Sequence, residues 1–310
     1  MCACLLREIW GNRVGVYLTH ANYGLYKKKF DSWRLFTDSG PAKRNFRAGF
    51  IYTPSSLPVP DCPENDLLNK EILEFVSVFG EPFGFDNEQG GALVQDLFPI
   101  KKNEDEQISS SSKVELEMHT ETAFHPKAPH YVVLFCVRGD SNAGTTFASL
   151  GRVLDGLSQE DINTLSQKLF ITTVDKSFLD EGEKNREVKT RVIHRNGGKM
   201  VYDSTAMRGI NAEAQAALDN FTKLVQKEKV TIALQSGQIA IIDNWQIAHG
   251  RTEFTPRYDG TDRWIKRVFV KNKKSHRPLI NNMWEEMHYA ATGDNAIIQF
   301  NEWKQRFPDG

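Results

Sequence analysis

The sequence predicts a mainly β protein, a β-sandwich or jelly roll with helices on its outside. Several short apolar or alternating segments, bounded by Gly and Pro, have the length and pattern of strands. Only a few longer segments repeat apolar residues at the spacing of an amphipathic helix. Many short strands with few helices fit a sandwich or barrel better than an alternating α/β fold.

The predicted strands begin with residues 92–99, ALVQDLFP, which follow two glycines. Residues 114–119 alternate between apolar and polar side chains, as in a strand with one buried face. Residues 131–137, YVVLFCV, form an unbroken apolar run that indicates a buried strand. The remaining predicted strands are residues 200–203, 238–242 and 264–270.

Three segments are predicted to be helices. Residues 65–79 place apolar side chains on one helical face and stop before Gly80 and Pro82. Ser158, with Asp161 three residues later, forms a capping-box pattern at the start of a helix over residues 158–168. Residues 212–227 again repeat apolar positions at helical spacing.

Residues 101–112 are polar, charged and serine-rich, so they predict a loop. The loop directly precedes the alternating strand 114–119, and a role as an active-site lid and a role as a plain surface loop both remain open.

The 310 residues fit a single structural unit. We predict an N-terminal extension over residues 1–60 that packs on a core domain over residues 61–310. A net charge of −1 gives no basic surface for nucleic acid or an anionic membrane. No apolar run approaches the ~18–20 residues that span a bilayer. The four scattered cysteines are expected to be reduced thiols in a cytoplasmic protein. The sequence predicts no oligomeric state.

The strongest functional signal is a possible metal site made of two histidines and one carboxylate. In a strand, residues two apart point to the same face, so His119 and Glu121 can reach one ion. His249, which is expected to follow a strand, supplies the second histidine. Two histidines and one carboxylate on one face of an ion are typical of non-haem Fe(II) oxygenases, because the other positions stay open for a 2-oxoacid and O2. His-x-Glu alone is a weak signal, and an exposed polar strand face would also produce it.

A possible cosubstrate site strengthens this interpretation. Arg263 lies fourteen residues after His249, at the start of a predicted strand. A guanidinium can bind the distal carboxylate of 2-oxoglutarate through two parallel hydrogen bonds. Thr146 is a candidate hydroxyl donor to the same carboxylate, and its neighbour Thr145 competes for this role.

The stretch VELEMHTETAFHPKAPHYVVLFCVRGD resembles the clavaminate synthase-like branch of the 2-oxoglutarate oxygenases. That branch includes asparagine oxygenase, arginine β-hydroxylase and free-lysine hydroxylases. The segments ITTVDKSFL, VYDSTAMRGI and IIDNWQIAHGRTEFTPRYDGTDRWIKRVFV are similar to the same group, so the resemblance covers roughly residues 67–275. It implies a double-stranded β-helix, which is a jelly roll.

The resemblance also implies roles for individual residues. His119, Glu121 and His249 would bind iron, and the presence of Glu121 argues against a halogenase. Arg263 and Thr146 would hold 2-oxoglutarate. The substrate would meet five further residues: Arg267 at its α-carboxylate, Asp203 at its polar end, and Ser109, Ser110 and Gln95.

The implied substrate is a small free amino acid. Relatives that bind lysine carry an Asp-x-Asp pattern where this chain has Asp203, Ser204 and Thr205, so the second acid is missing. A basic amino acid such as lysine or arginine remains the first expectation. A peptide substrate is the rival.

The expected reaction is hydroxylation of an unactivated carbon with Fe(II), 2-oxoglutarate and O2, releasing succinate and CO2. Two alternatives stay open. The same cofactors can desaturate or cyclise an amino-acid-derived metabolite. The chain could also be a catalytically inactive jelly roll that only binds metal.

Overall fold

The computed structural model describes residues 30–35, 49–54, 65–77, 80–179, 181–194, 198–271 and 297–299. In these ranges the chain is mainly β with a few helices, which confirms this part of the predicted fold class. The α-helices of the described ranges are α1 (Asn65–Val76), α2 (Leu150–Gly156), α3 (Gln159–Leu165) and α4 (Ala212–Lys227). None of them is long and apolar enough to cross a membrane.

The larger of two main sheets has eight strands within the described residues. In order across the sheet these are β1 (Phe30–Leu35), β2 (Gly49–Pro54), β14 (Ile239–Asp243), β6 (Tyr131–Arg138), β16 (Trp264–Lys271), β3 (Glu81–Phe85) and β17 (Ile297–Gln299), with β4 (Gln95–Leu97) paired to β16 beside this path. The pairing of β2 with β14 joins part of the predicted N-terminal extension to the sheet.

The second main sheet carries most of the functional candidates. Its order is β13 (Val230–Ile232), β7 (Thr145–Ser149), β15 (Ile247–Arg251) and β5 (Leu116–His119). Two smaller sheets of the described chain lie beside it. They consist of β12 (Met207–Gly209), β8 (Phe170–Thr173) and β9 (Glu187–Thr190), and of β10 (Ile193–His194) with β11 (Lys199–Met200).

Strand β6 explains why residues 131–137 are apolar without interruption. Val132 and Leu134 point toward the second sheet and pack with Phe147 of β7 and Ile247 of β15. The side chains between them, such as Val133, point the other way and pack against helix α1. Both faces of the sheet are therefore covered, and burial of apolar surface on both faces stabilises it.

The helices cover the outer face of the second sheet. Side chains of α2, α3 and α4 pack in one cluster with apolar residues of β5, β7 and β15. The predicted cap of α3 is confirmed, because the backbone N–H of Asp161 donates to Ser158 Oγ at 3.0 Å. Helix α4 has the predicted bounds, whereas the strand predicted over residues 200–203 is limited to Lys199–Met200.

Candidate functional site

A cavity of about 580 Å³ is lined by residues of β5, β7, β15 and β16, and by part of the loop 101–112. His119, Glu121 and His249 lie in its wall, as do Arg263 and Arg267. The cavity therefore collects side chains that are far apart in sequence.

The two histidines lie side by side on neighbouring strands. His119 ends β5 and is the direct antiparallel partner of His249 in β15. Their ring centroids are 4.7 Å apart. His249 follows β14, as predicted, and itself lies inside the next strand, β15, which the sequence did not predict. The backbone pairing of β5 with β15 therefore holds the two imidazole rings next to each other.

Glu121 lies two residues beyond the end of β5, so a strand alone does not position it. Asn244 does so instead: its Oδ1 accepts from the Glu121 N–H at 2.7 Å, and its Nδ2 donates to the Glu121 carbonyl at 3.2 Å. The carboxylate lies beside His249, with Oε2 3.5 Å from Nε2. Asn244 was not predicted from the sequence, because it is remote from Glu121 along the chain.

The three side chains fit a divalent metal ion. Their candidate ligand atoms all lie within 4.8 Å of one another. His119 Nδ1 donates to the Glu117 carbonyl at 2.8 Å, which leaves Nε2 with a free lone pair. His249 Nδ1 is buried without a hydrogen-bond partner. Two imidazoles and a carboxylate form a donor set that suits Fe(II).

Burial and charge keep Glu121 and His249 in the protonation states that a metal needs. Burial lowers the pKa of His249, so its ring stays neutral near neutral pH. Burial alone would raise the pKa of Glu121, but the positive charge of Arg267 and the hydrogen bond from His249 outweigh it and lower the pKa to about 2. Glu121 is therefore a carboxylate at any physiological pH.

Arg267 lies in the cavity wall and donates hydrogen bonds to three side chains. Its Nη1 donates to Glu121 Oε1 at 3.0 Å, its Nη2 to Glu88 Oε2 at 2.9 Å, and its Nε to Gln95 Oε1 at 2.8 Å. Gln95 does not line the cavity, so its place is behind Arg267 and not at the predicted substrate surface. Glu88, which does line the cavity, was not predicted from the sequence.

Arg263 is buried in the wall of the cavity, as the cosubstrate prediction requires. Its Nη2 lies 3.4 Å from Thr145 Oγ1, a long contact. Thr146 points to the opposite face of β7 and donates to Met118 Sδ at 3.2 Å. The structure therefore places Thr145, and not the predicted Thr146, beside Arg263, because successive side chains of a strand alternate.

Two acids line the cavity near the metal candidates. Asp203 pairs with His119 through an isolated β-bridge, and its Oδ1 accepts from Thr205 N at 2.9 Å and Ala206 N at 2.7 Å. Asp175, which was not predicted, also faces the cavity. Asp175 is open to the cavity, but its pKa is raised to about 7. The larger cause is desolvation of the carboxylate by the surrounding protein, and the negative charges of Asp203 and Glu121 add to it.

The two predicted serines differ in position. Ser109 lines the cavity, as expected of a substrate contact. Ser110 instead turns toward Asn103, whose Nδ2 donates to Ser110 Oγ at 2.8 Å. The loop that carries them is held by internal hydrogen bonds, including one from Lys113 N to the Glu104 carbonyl at 2.9 Å.

The chain is similar to known oxygenases over this whole region. The profile of the taurine catabolism dioxygenase TauD, TfdA family matches residues 63–269, which is two thirds of the chain. This range contains the three metal candidates and the cavity residues Arg251, Arg263 and Arg267.

Two curated relatives are named as oxygenases or hydroxylases of amino acids. The chain is 35% identical over 203 residues to the L-lysine 3-hydroxylase of Catenulispora acidiphila, covering 62% of this chain and 55% of that protein. It is 38% identical over 193 residues to the L-asparagine oxygenase of Streptomyces coelicolor, covering 62% and 58% respectively. The matched region thus spans a little over half the length of these relatives.

A solved structure supports the same relationship. Asparagine oxygenase in complex with Fe(II), (2S,3S)-3-hydroxyasparagine and succinate matches with a TM-score of 0.61 and 34% identity, covering 70% of each chain.

Proposed function

Because the chain belongs to the taurine catabolism dioxygenase TauD, TfdA family, we propose that it is an Fe(II)- and 2-oxoglutarate-dependent oxygenase that hydroxylates a free L-amino acid. The observation that carries this proposal is the convergence of His119, Glu121 and His249 in a cavity that also contains the buried Arg263. The two packed sheets are, in this proposal, a double-stranded β-helix. A cytoplasmic location stays a prediction from the sequence.

In this proposal His119, Glu121 and His249 hold the iron, and Arg263 with Thr145 holds the distal carboxylate of 2-oxoglutarate. The bound iron, with 2-oxoglutarate and O2, supplies the oxidation that inserts oxygen into a C–H bond and releases succinate and CO2. The protein positions these three side chains by the β5–β15 pairing and by the hydrogen bonds of Asn244.

The head group of the amino acid is bound by Arg267 and Glu88. A guanidinium can bind the α-carboxylate, and the adjacent Glu88 carboxylate can accept from the α-ammonium. Gln95 orients Arg267 through hydrogen bonds of 2.8 and 2.6 Å to its Nε and Nη2. This opposite-charge pair at one end of the cavity suits a zwitterion.

The side chain of the substrate is proposed to be cationic. Asp175 and Asp203 are close enough to interact, and Asp203 contributes to the raised pKa of Asp175. A cation placed between them would relieve this repulsion. Asp175 thus takes the place of the acid that is missing from the Asp-x-Asp pattern, and the L-lysine 3-hydroxylase relative is consistent with a basic substrate.

The test is a substrate screen with purified protein, Fe(II), ascorbate and 2-oxoglutarate. L-lysine, L-arginine, L-ornithine and L-asparagine are supplied separately, and succinate and product mass are measured. We expect a basic amino acid to stimulate succinate formation and to gain one oxygen atom. A product that has lost two hydrogens would identify desaturation or cyclisation instead. No consumption of 2-oxoglutarate with any amino acid would contradict the proposal and favour a protein that binds metal without turnover.

A further inference from the structure

The loop 101–112, called the cover loop below, forms part of the cavity wall. Glu106, Gln107, Ile108 and Ser109 all line the cavity. Ile108 is a large apolar side chain that is nevertheless 43% exposed. The position of this loop therefore decides how far the cavity is open to water.

Arg251 fastens the end of the cover loop from inside the protein. Its side chain is only 3% exposed. Nη2 donates to Ser111 Oγ at 2.8 Å and to the Val114 carbonyl at 3.2 Å, and Nη1 donates to the Ser112 carbonyl at 3.3 Å. No carboxylate within the described ranges forms an ion pair with Arg251. Its charge-assisted hydrogen bonds go to this segment and to the Thr252 carbonyl.

Tyr258 also holds the cover loop, through hydrogen bonds to two of its side chains. Its hydroxyl donates to Glu104 Oε2 at 3.0 Å and, because that proton is used, accepts from Ser112 Oγ at 3.1 Å. Tyr258 has a φ of 58°, a conformation that is unusual for a bulky residue. The Asp262 carboxylate holds this turn by accepting from the N–H groups of Arg257 and Tyr258, each at 2.7 Å.

Both fastening residues belong to segments that carry the proposed ligands. Arg251 is two residues from His249 in β15, and its side chain points into the same cavity. Asp262, which holds the Tyr258 turn, directly precedes Arg263. The cover loop is therefore attached to β15, which carries the proposed iron ligand His249, and to the segment that carries Arg263.

We propose that Arg251 and Tyr258 are positioning residues that latch the cover loop over the cavity. Their role in this proposal is to hold the loop in place, and not to bind substrate or cofactor. They keep Glu106 to Ser109 against the bound amino acid, and so exclude water from it. That the covered ligand is an amino acid rests on the proposed function, whereas the contacts that hold the loop do not depend on which ligand binds.

The test is limited trypsin proteolysis of the full chain, with cleavage sites identified by mass spectrometry. Tyr258→Phe removes only the hydroxyl, and with it both hydrogen bonds, so it should raise cleavage after Lys101 and Lys102 by roughly fivefold or more, since each bond contributes about 0.5–1.5 kcal/mol. Arg251→Lys should raise it roughly tenfold or more, because charge-assisted bonds are stronger. Cleavage after Lys223 in α4 should not change.

Tyr202→Phe and Arg152→Lys are matched controls. Tyr202 loses a hydroxyl hydrogen bond to Thr222, and Arg152 loses a charge-assisted hydrogen bond to Glu228, both away from the loop. Neither variant should speed cleavage at Lys101 or Lys102. In turnover assays with whichever screened amino acid reacts, Tyr258→Phe should raise its KM severalfold and change the KM for 2-oxoglutarate by less than about twofold.

Unchanged cleavage of the cover loop in Tyr258→Phe would overturn the latch, and so would an equal rise at every site. If no amino acid is turned over, the proteolysis result alone decides. Failure of the latch and failure of the proposed function are thus distinguishable.

Discussion

The guanidinium of Arg267 donates from Nη1 to Glu121 Oε1 at 3.0 Å, so one ion pair connects the two proposed halves of the site. Glu121 is proposed to bind iron, and Arg267 the substrate α-carboxylate. The same guanidinium also contacts Glu88 at 2.9 Å. A change in what Arg267 binds therefore alters the charge next to the metal.

Replacing Arg267 by Gln should weaken metal binding as well as substrate binding. Glu121 would lose the partner that orients it, and loss of such a partner typically costs 10–100-fold in metal affinity. Titration with Mn²⁺, followed by electron paramagnetic resonance, measures this effect. Glu88→Gln is the control, because it should raise the KM for the amino acid while leaving Mn²⁺ affinity within about threefold. Equal Mn²⁺ affinity in Arg267→Gln and wild type would disprove the link.

The neighbouring threonines of β7 provide a matched pair for the cosubstrate site. Thr145→Ala should raise the KM for 2-oxoglutarate roughly tenfold, because a hydrogen bond to a carboxylate is lost. Thr146→Ala should leave this KM unchanged and lower thermal stability slightly, because Thr146 contacts Met118. Steady-state kinetics with varied 2-oxoglutarate tests both variants, and the reverse pattern would restore the original assignment of Thr146.

Asp175→Asn should raise the KM for a basic amino acid roughly tenfold, because an ionic hydrogen bond becomes a neutral one. The KM for 2-oxoglutarate should stay constant. Asp219→Asn on α4, whose carboxylate contacts Gln215, is a control for loss of one negative charge. If Asp175→Asn behaves like Asp219→Asn, then Asp175 does not recognise the cation.

His125 should make the folded state sensitive to acid. Burial, and then the charge of Lys127, lower the pKa of His125 to about 3. An unfolded histidine takes up its proton below about pH 6.5. Between these pH values the unfolded state binds more protons, so the free energy of unfolding falls as pH falls, by at most about 1.4 kcal/mol per pH unit.

The comparison that isolates His125 is urea denaturation of wild type and His125→Gln between pH 7 and pH 5. The variant lacks this titration, so its stability should fall less steeply with decreasing pH. Parallel curves for the two proteins would show that His125 is not held neutral by the fold.

The local sequence pattern was sufficient to predict helix α4 and the N-terminal cap of α3. The helical periodicity of residues 212–227 and the Ser158 cap depend on neighbours in sequence, and α4 and the α3 cap agree with the structure. The alternation of strand residues also placed Arg263 and Arg267 on one wall. Each of these features arises from side chains within a few residues of one another.

What could not be predicted depends on pairing between distant strands. Thr145 faces the cavity and Thr146 does not because β7 pairs with β15 in one register, with Thr146 opposite Gly250. A single sequence carries no signal for this register. Asp175 and Asn244 likewise reach the site from other segments, so no spacing rule relates them to Asp203 or Glu121.

The most direct measurement is anaerobic Mn²⁺ titration of wild type and of His119→Ala, Glu121→Ala and His249→Ala, with folding checked by circular dichroism. We predict one tightly bound Mn²⁺ per wild-type chain and at least a tenfold loss of affinity in each folded variant. Wild-type affinity in Glu121→Ala or His249→Ala would contradict a shared ion, and with it the proposed oxygenase chemistry.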